Sequence, residues 1–175
     1  MDKYFFTLYE FICREENFEF AHEISEYFGQ IEEKLKNDFW QEVFKKCKSN
    51  LDDSFRLRLD RESELIELKK DSWEFTLICR DWEYNEVWIE VKLTTRNKRK
   101  RKELEGLFLD EELIDKLGFE YLEEEDIVSG MKITENFDKL STLKRILPTN
   151  REELVNQYSN TIIGKVKILE EEFAK

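Results

Sequence analysis

The sequence predicts an α+β fold in a single domain spanning residues 1–175, with N-terminal helices, a central four-stranded antiparallel meander and a long C-terminal helix. Three observations predict it. Apolar residues recur at three- and four-residue steps from Tyr4 to Cys47, switch to alternation between Phe55 and Leu93, and return to helical steps from Leu154 to Phe173. The chain divides accordingly into a helical part (1–49), a β-meander (54–95) and a mostly helical remainder (103–175).

Tyr4, Phe5, Leu8, Phe11 and Ile12 form one stripe, so residues 1–14 predict a short amphipathic helix. Asn17 can cap a second helix, whose stripe runs through Phe20, Ile24, Tyr27, Phe28, Ile31, Leu35, Phe39, Val43, Phe44 and Cys47, with a possible break at Asn37-Asp38. After the turn residues 49–54, Phe55-Arg56-Leu57-Arg58-Leu59 alternates apolar and cationic side chains, the mark of a half-buried strand. Further strands are expected at 64–69, 73–80 and 86–93, joined by short polar turns that leave no room for a crossover helix. Alternation places Trp73, Phe75, Leu77 and Cys79 on one face of the third strand, and Val87, Ile89, Val91 and Leu93 on one face of the fourth. These eight side chains are expected to meet the helices.

Residues 107–117 read as a short helix ended by Gly118, whereas 119–141 carry no firm pattern and Ser129-Gly130 reads as a turn. Past Pro148, Thr149 or Asn150 can cap the closing helix with Glu152 or Glu153 at the capping-box position. Its stripe is Leu154, Tyr158, Ile162, Val166, Leu169 and Phe173, widened by Val155 and Ile163.

Composition bounds the function. With 14 Phe, 6 Tyr and 4 Trp the chain is too aromatic for a disordered acidic segment, and at 40% charged residues it is too polar for a membrane protein. No apolar run approaches the roughly 18 residues of a membrane span, so a cytoplasmic location is expected. Abundant Lys, Glu, Phe, Asn and Ile with almost no Ala or Pro suggests an AT-rich genome, bacterial or phage. Cys13, Cys47 and Cys79 are widely spaced with no CxxC, which predicts reduced, mostly core cysteines and neither a disulfide frame nor a zinc site. The glycine-rich phosphate cradles and the GxSxG elbow are absent from the sequence, so no organic cofactor is expected.

Charge is the sharper clue. Net charge is −12, yet Arg96, Lys98, Arg99, Lys100, Arg101 and Lys102 put six positive charges into seven residues. A solvated loop or first helical turn, a local contact with phosphate or an acidic surface, and an import signal all fit such a run. The acidic remainder repels a nucleic-acid duplex that comes within about a Debye length of 10 Å, so direct binding is expected only locally, through 96–102. The acidic clusters, Glu123-Glu124-Glu125-Asp126 among them, suit the cationic groove of a nucleic-acid enzyme instead. Trp88, on the outer side of the last strand, is a further candidate contact.

One short stretch points to chemistry. In Trp88-Ile89-Glu90-Val91-Lys92 alternation puts Glu90 and Lys92 on one side of a strand, with Asp81 nine residues before Glu90. This resembles the E-x-K half of PD-(D/E)XK nuclease-superfamily proteins. The resemblance implies Asp81 and Glu90 as ligands of Mg²⁺ and Lys92 as the group that positions the attacking water. A second resemblance is to the non-catalytic C-terminal part of some proteins of that superfamily, where a Trp-containing hairpin precedes a long closing helix; it implies no active residues. Two functions are therefore expected: a cytoplasmic protein-protein interaction module, acting as inhibitor or antagonist of a nucleic-acid-handling enzyme without a cofactor, or a small Mg²⁺-dependent nuclease.

Overall fold

The structure is a computed structural model, described for residues 3–60, 65–82, 86–122, 126–137 and 139–174. The chain forms two compact units, Met1–Leu35 and Lys36–Lys175. The first holds helix α1 (Lys3–Ile12) and the start of helix α2 (Glu15–Asn50). Helix α2 begins two residues before Asn17 and runs on through Asn37-Asp38. Asn17 therefore does not cap it: its side-chain amide donates to the Phe11 carbonyl at 2.9 Å.

Residues 36–175 are built on one six-stranded antiparallel sheet: β1 (Phe55–Asp60), β2 (Leu65–Lys70), β3 (Phe75–Trp82), β4 (Glu86–Leu93), β5 (Glu120–Tyr121) and β6 (Ile127–Asn136). The spatial order is β1-β2-β3-β4-β6-β5. The α+β class thus holds, and the meander β1 to β4 is its first part. The correction lies in 119–141, which contributes two strands: β6 pairs along β4, and β5 pairs back on β6.

The register explains the burial. Leu77 opposes Val91 and Cys79 opposes Ile89, and β6 adds Ser129 opposite Val91 and Ile133 opposite Val87. All of these are buried, as are the eight side chains expected to line this face. Helix α3 (Lys98–Phe108) and helix α6 (Arg151–Phe173) close over it: Phe75 on β3 meets Phe108 and Phe173 with ring centroids 5.0 and 4.8 Å away. A second aromatic cluster joins α2 to α6, where Phe39 meets Tyr158 edge-on at 5.2 Å and Phe137 at 5.4 Å. Edge-on aromatic pairs of this kind add roughly 1 kcal/mol each beyond area burial.

The helix ends refine the sequence reading. The helix expected over 107–117 is divided between two: α3 runs through Gly106 to Phe108, and a separate helix α4 (Glu111–Leu117) follows. Asp110 caps α4 by accepting from the Glu112 and Leu113 amides. Gly118, at φ 59°, takes the left-handed conformation that ends it, and the Phe119 amide reaches the Ile114 carbonyl at 3.1 Å. Helix α5 (Leu140–Arg145) precedes α6. Asn150 stands at the N-cap of α6 but makes no side-chain cap; its amide donates instead to the Lys144 carbonyl at 3.1 Å.

Among the described residues no helix is long and apolar enough to cross a membrane. Cys47 and Cys79 are buried and Cys13 is exposed. Burial pushes the Cys47 thiol up to about 12, because the thiolate is disfavoured away from water. In the native protein at neutral pH, iodoacetamide should therefore label Cys13 and spare Cys47 and Cys79 until denaturant is added, as read by mass spectrometry of the intact chain.

Candidate functional site

Glu90 sits in the middle of β4, on the side of the sheet away from Phe75 and Val91, and its side chain is completely buried. Its position is set by neighbours on both sides. On β3, Arg80 lies diagonally across and its Nε donates to Glu90 Oε2 at 2.7 Å, with Nη2 at 3.4 Å from Oε1. On β6 the residue opposite is Gly130. A Cβ there would lie 2.9 Å from the Ile89 carbonyl oxygen, 2.9 Å from Leu122 Cδ1 and 3.1 Å from Glu90 Cγ. Glycine is required because the glutamate stem and Leu122 take up the space a side chain would need. Ser129-Gly130 is thus strand and not the turn expected from sequence.

The sheet face around this pair is closed, not open. Thr76, Ile78, Val128 and Gly130 are buried on that side, Trp88 and Arg80 are half-buried, and Lys92 is exposed. The carboxylate is therefore held by a charge-assisted, two-point contact in a site shielded from solvent. Asp81 pairs in register with Val87, whereas Glu90 pairs with Ile78. The side chain of Asp81 lies outside the described residues. Among the described residues no group of three or more His, Cys, Asp or Glu is placed to hold a metal ion.

The basic segment is ordered and partly consumed. Asn97 caps α3 by accepting from the Arg99 and Lys100 amides, so 98–102 form the helix's first turns. Lys100 bonds Glu74 at 2.7 Å, Arg99 bonds Glu103 at 3.0 Å, and Arg101 bonds both Glu105 at 3.0 Å and Asp126 at 2.8 Å. The Lys100 hydrogen bond, followed by that of Thr95, holds the Glu74 carboxyl below its usual range. Reciprocally, Glu74 raises the Lys100 ammonium. Arg96, Lys98 and Lys102 have no carboxylate within salt-bridge distance among the described residues. With Lys92 and Arg101, Arg96 and Lys98 line a cleft of about 590 Å³ that Asp126 also borders. Of the acidic cluster 123–126, Glu123, Glu124 and Glu125 lie outside the described residues, and Asp126 serves as the partner of Arg101.

The feature that sequence reading missed is in residues 1–35. Among their described side chains none is buried. Eight large apolar ones, Tyr9, Phe11, Phe18, Phe20, Ile24, Tyr27, Phe28 and Ile31, stand 46 to 62% exposed. The stripe through Phe20 and Ile31 reads in sequence as a core face, and it is not one. A signal was present: α2 carries more than seven turns of apolar stripe, and a helix that long outruns what a domain of ordinary size covers. Patches of this size on a monomer usually mark an interaction site.

No protein-family model matches this chain, and neither a characterised protein nor a solved structure is significantly similar to it.

The Glu90 site yields two predictions. Arg80→Met removes the guanidinium from a buried carboxylate and should lower unfolding free energy by about 3 kcal/mol. Gly130→Ala forces a Cβ against backbone and should cost about 2 kcal/mol by overpacking. Urea denaturation followed by tryptophan fluorescence measures both, and Lys100→Ala, at an exposed surface pair, should leave the midpoint unchanged.

Proposed function

We propose that this chain acts by binding another protein, and that it is an interaction module with no catalytic step of its own. The observation that carries this reading is the apolar display of residues 1–35, where eight large side chains stand half exposed while residues 36–175 keep their own apolar core. Water is a poor solvent for such a surface, at roughly 25 cal/mol per Å² of apolar area. A helical segment whose described residues are all at least partly exposed gains its stability from whatever packs on it.

The finer form of the reading is an inhibitor or antagonist of a nucleic-acid-handling enzyme in a bacterial or phage-infected cytoplasm. It is supported by the charge balance, 41 acidic against 29 basic residues. The pairing of Arg99, Lys100 and Arg101 with the chain's own carboxylates also leaves the acidic excess to set the outer field. A groove built to hold phosphates would be attracted to that field.

Affinity capture with the tagged full chain, followed by mass spectrometry, tests both levels. A specific protein should be recovered, its own untagged copies included, and Phe20→Glu with Tyr27→Glu should cut recovery at least tenfold. Displacement of a nucleic-acid enzyme by heparin supports the antagonist form. The same captured set with and without the two substitutions would sink the interaction reading.

A further inference from the structure

The pattern on α2 identifies what covers it. Phe20, Ile24, Tyr27 and Ile31 are spaced by four, three and four residues, a sequence of steps that reads the same in both directions. A helix face with that symmetry is complementary to itself when a second helix lies antiparallel. A two-fold axis midway between Ile24 and Tyr27 sets Phe20 of one copy against Ile31 of the other, and Ile24 against Tyr27. We propose that the stripe is covered by a second copy of this chain, the two α2 segments pairing antiparallel about that axis. The proposal rests on the reading of residues 1–35 as a protein-binding element and names the partner.

Three further features fit this register. The next seam positions outward are Asn17 and Lys34, and the same axis places each against the other, so a polar layer closes the apolar seam at both ends. A parallel pair would instead set Lys34 against Lys34, a like-charge contact at the seam. On one flank Phe28 of each copy falls beside the small Ala21 of the other, which widens the apolar contact. On the opposite flank Glu23 falls beside Gln30, so no like charges meet across the interface despite the acidity of the segment.

The area is sufficient. With Phe28, five side chains on this face stand about half exposed, and at 150–250 Å² for a whole aromatic side chain they offer roughly 500 Å² per copy. Two copies bury about 1,000 Å² of apolar surface before any flanking polar atom is counted, which reaches the lower bound for a specific interface. The seam runs eleven residue steps, from Phe20 to Ile31, a length of about 16 Å at roughly 1.5 Å per step.

Light scattering on the full-length chain, coupled to size exclusion at micromolar concentration, provides the test. The expected mass is twice 21.4 kDa, returning to the single mass with Ile24→Glu and Tyr27→Glu while the near-ultraviolet dichroism of the four tryptophans, all within residues 36–175, persists. Orientation is read by a short bis-maleimide in a Cys13→Ser background. The pair Phe20→Cys with Ile31→Cys should cross-link between copies, and Phe20→Cys alone should not, because its two copies lie about 16 Å apart along the axis. Cross-linking of the single variant would mean a parallel pair and overturn the proposal, as would a dimer that ignores the glutamate substitutions. A monomer whose stripe variants still abolish capture of a different protein overturns the second-copy assignment and leaves the interaction reading standing. A monomer whose variants alter no association removes both.

Discussion

Strand β4 is hydrogen-bonded along both edges, to β3 and to β6, with Val87, Ile89, Val91 and Leu93 buried on one side and Glu90 on the other, and the arrangement of residues 36–175 follows from that position. Its Val87, Ile89, Val91 and Leu93 supply the surface on which α3 and α6 close. Its other side must then carry Glu90 in the dark. A buried carboxylate is tolerated where a charged, hydrogen-bonded partner offsets its desolvation and the neighbouring strand leaves room for its stem. Arg80 supplies the charge and Gly130 the volume, so three strands are locked in register by one side chain. Slipping β6 by one residue would put a side chain where Gly130 stands and turn Ser129 and Ile133 away from the core.

The parts of the fold that sequence reading reached are those with one clean period. From Phe75 to Cys79 in β3 and from Val87 to Leu93 in β4 every second residue is apolar and buried, and the closing helix keeps its stripe for its whole length. The parts it missed carry two signals at once. β6 is interrupted by register shifts opposite Glu86/Val87 and Val91/Lys92, which break its alternation, and its Ser-Gly pair mimics a turn. Gly106 and Asn37-Asp38 look like helix breakers but sit where helix neighbours on either side sustain the hydrogen-bond ladder. Glu-x-Lys on a strand reads as a surface pair or a metal-binding motif, and neither reading foresees a fully buried carboxylate paired with arginine on the next strand. Only the diagonal Arg80 and a glycine on a strand not yet recognised could have disclosed it.

Charge tells a similar story. Six cations in seven residues suggest an open basic patch, yet folding brings Glu74, Glu103, Glu105 and Asp126 onto three of them. Two of those carboxylates, Glu103 and Glu105, lie one turn on from Arg99 and Arg101 along the same helix, while Glu74 and Asp126 stand just before β3 and β6. The segment therefore works first as a clamp between α3 and the sheet. Exposed pairs of this kind contribute little stability each, so their effect is on orientation and on the outward field more than on folding energy.

The two compact units differ in what satisfies them. Residues 36–175 bury their apolar faces against one another, so their secondary structure is sustained by packing. Residues 1–35 have helices of good period and, among the described residues, no buried side chain. Isolated helices of this size are marginal in water, because nucleation is costly and propensity alone returns little. Glu-rich flanks keep such a segment soluble, but they do not cover Phe20, Ile24, Tyr27 or Ile31. An uncovered stripe would make the segment adhesive toward many surfaces, unless its pattern favours one. The 4-3-4 spacing bounded by Asn17 and Lys34 does this: it is long enough to bury a specific area, and polar at both ends so that registers displaced by a turn place Asn17 or Lys34 against an apolar residue. Specificity in this region thus comes from where the apolar stripe stops as much as from what it contains.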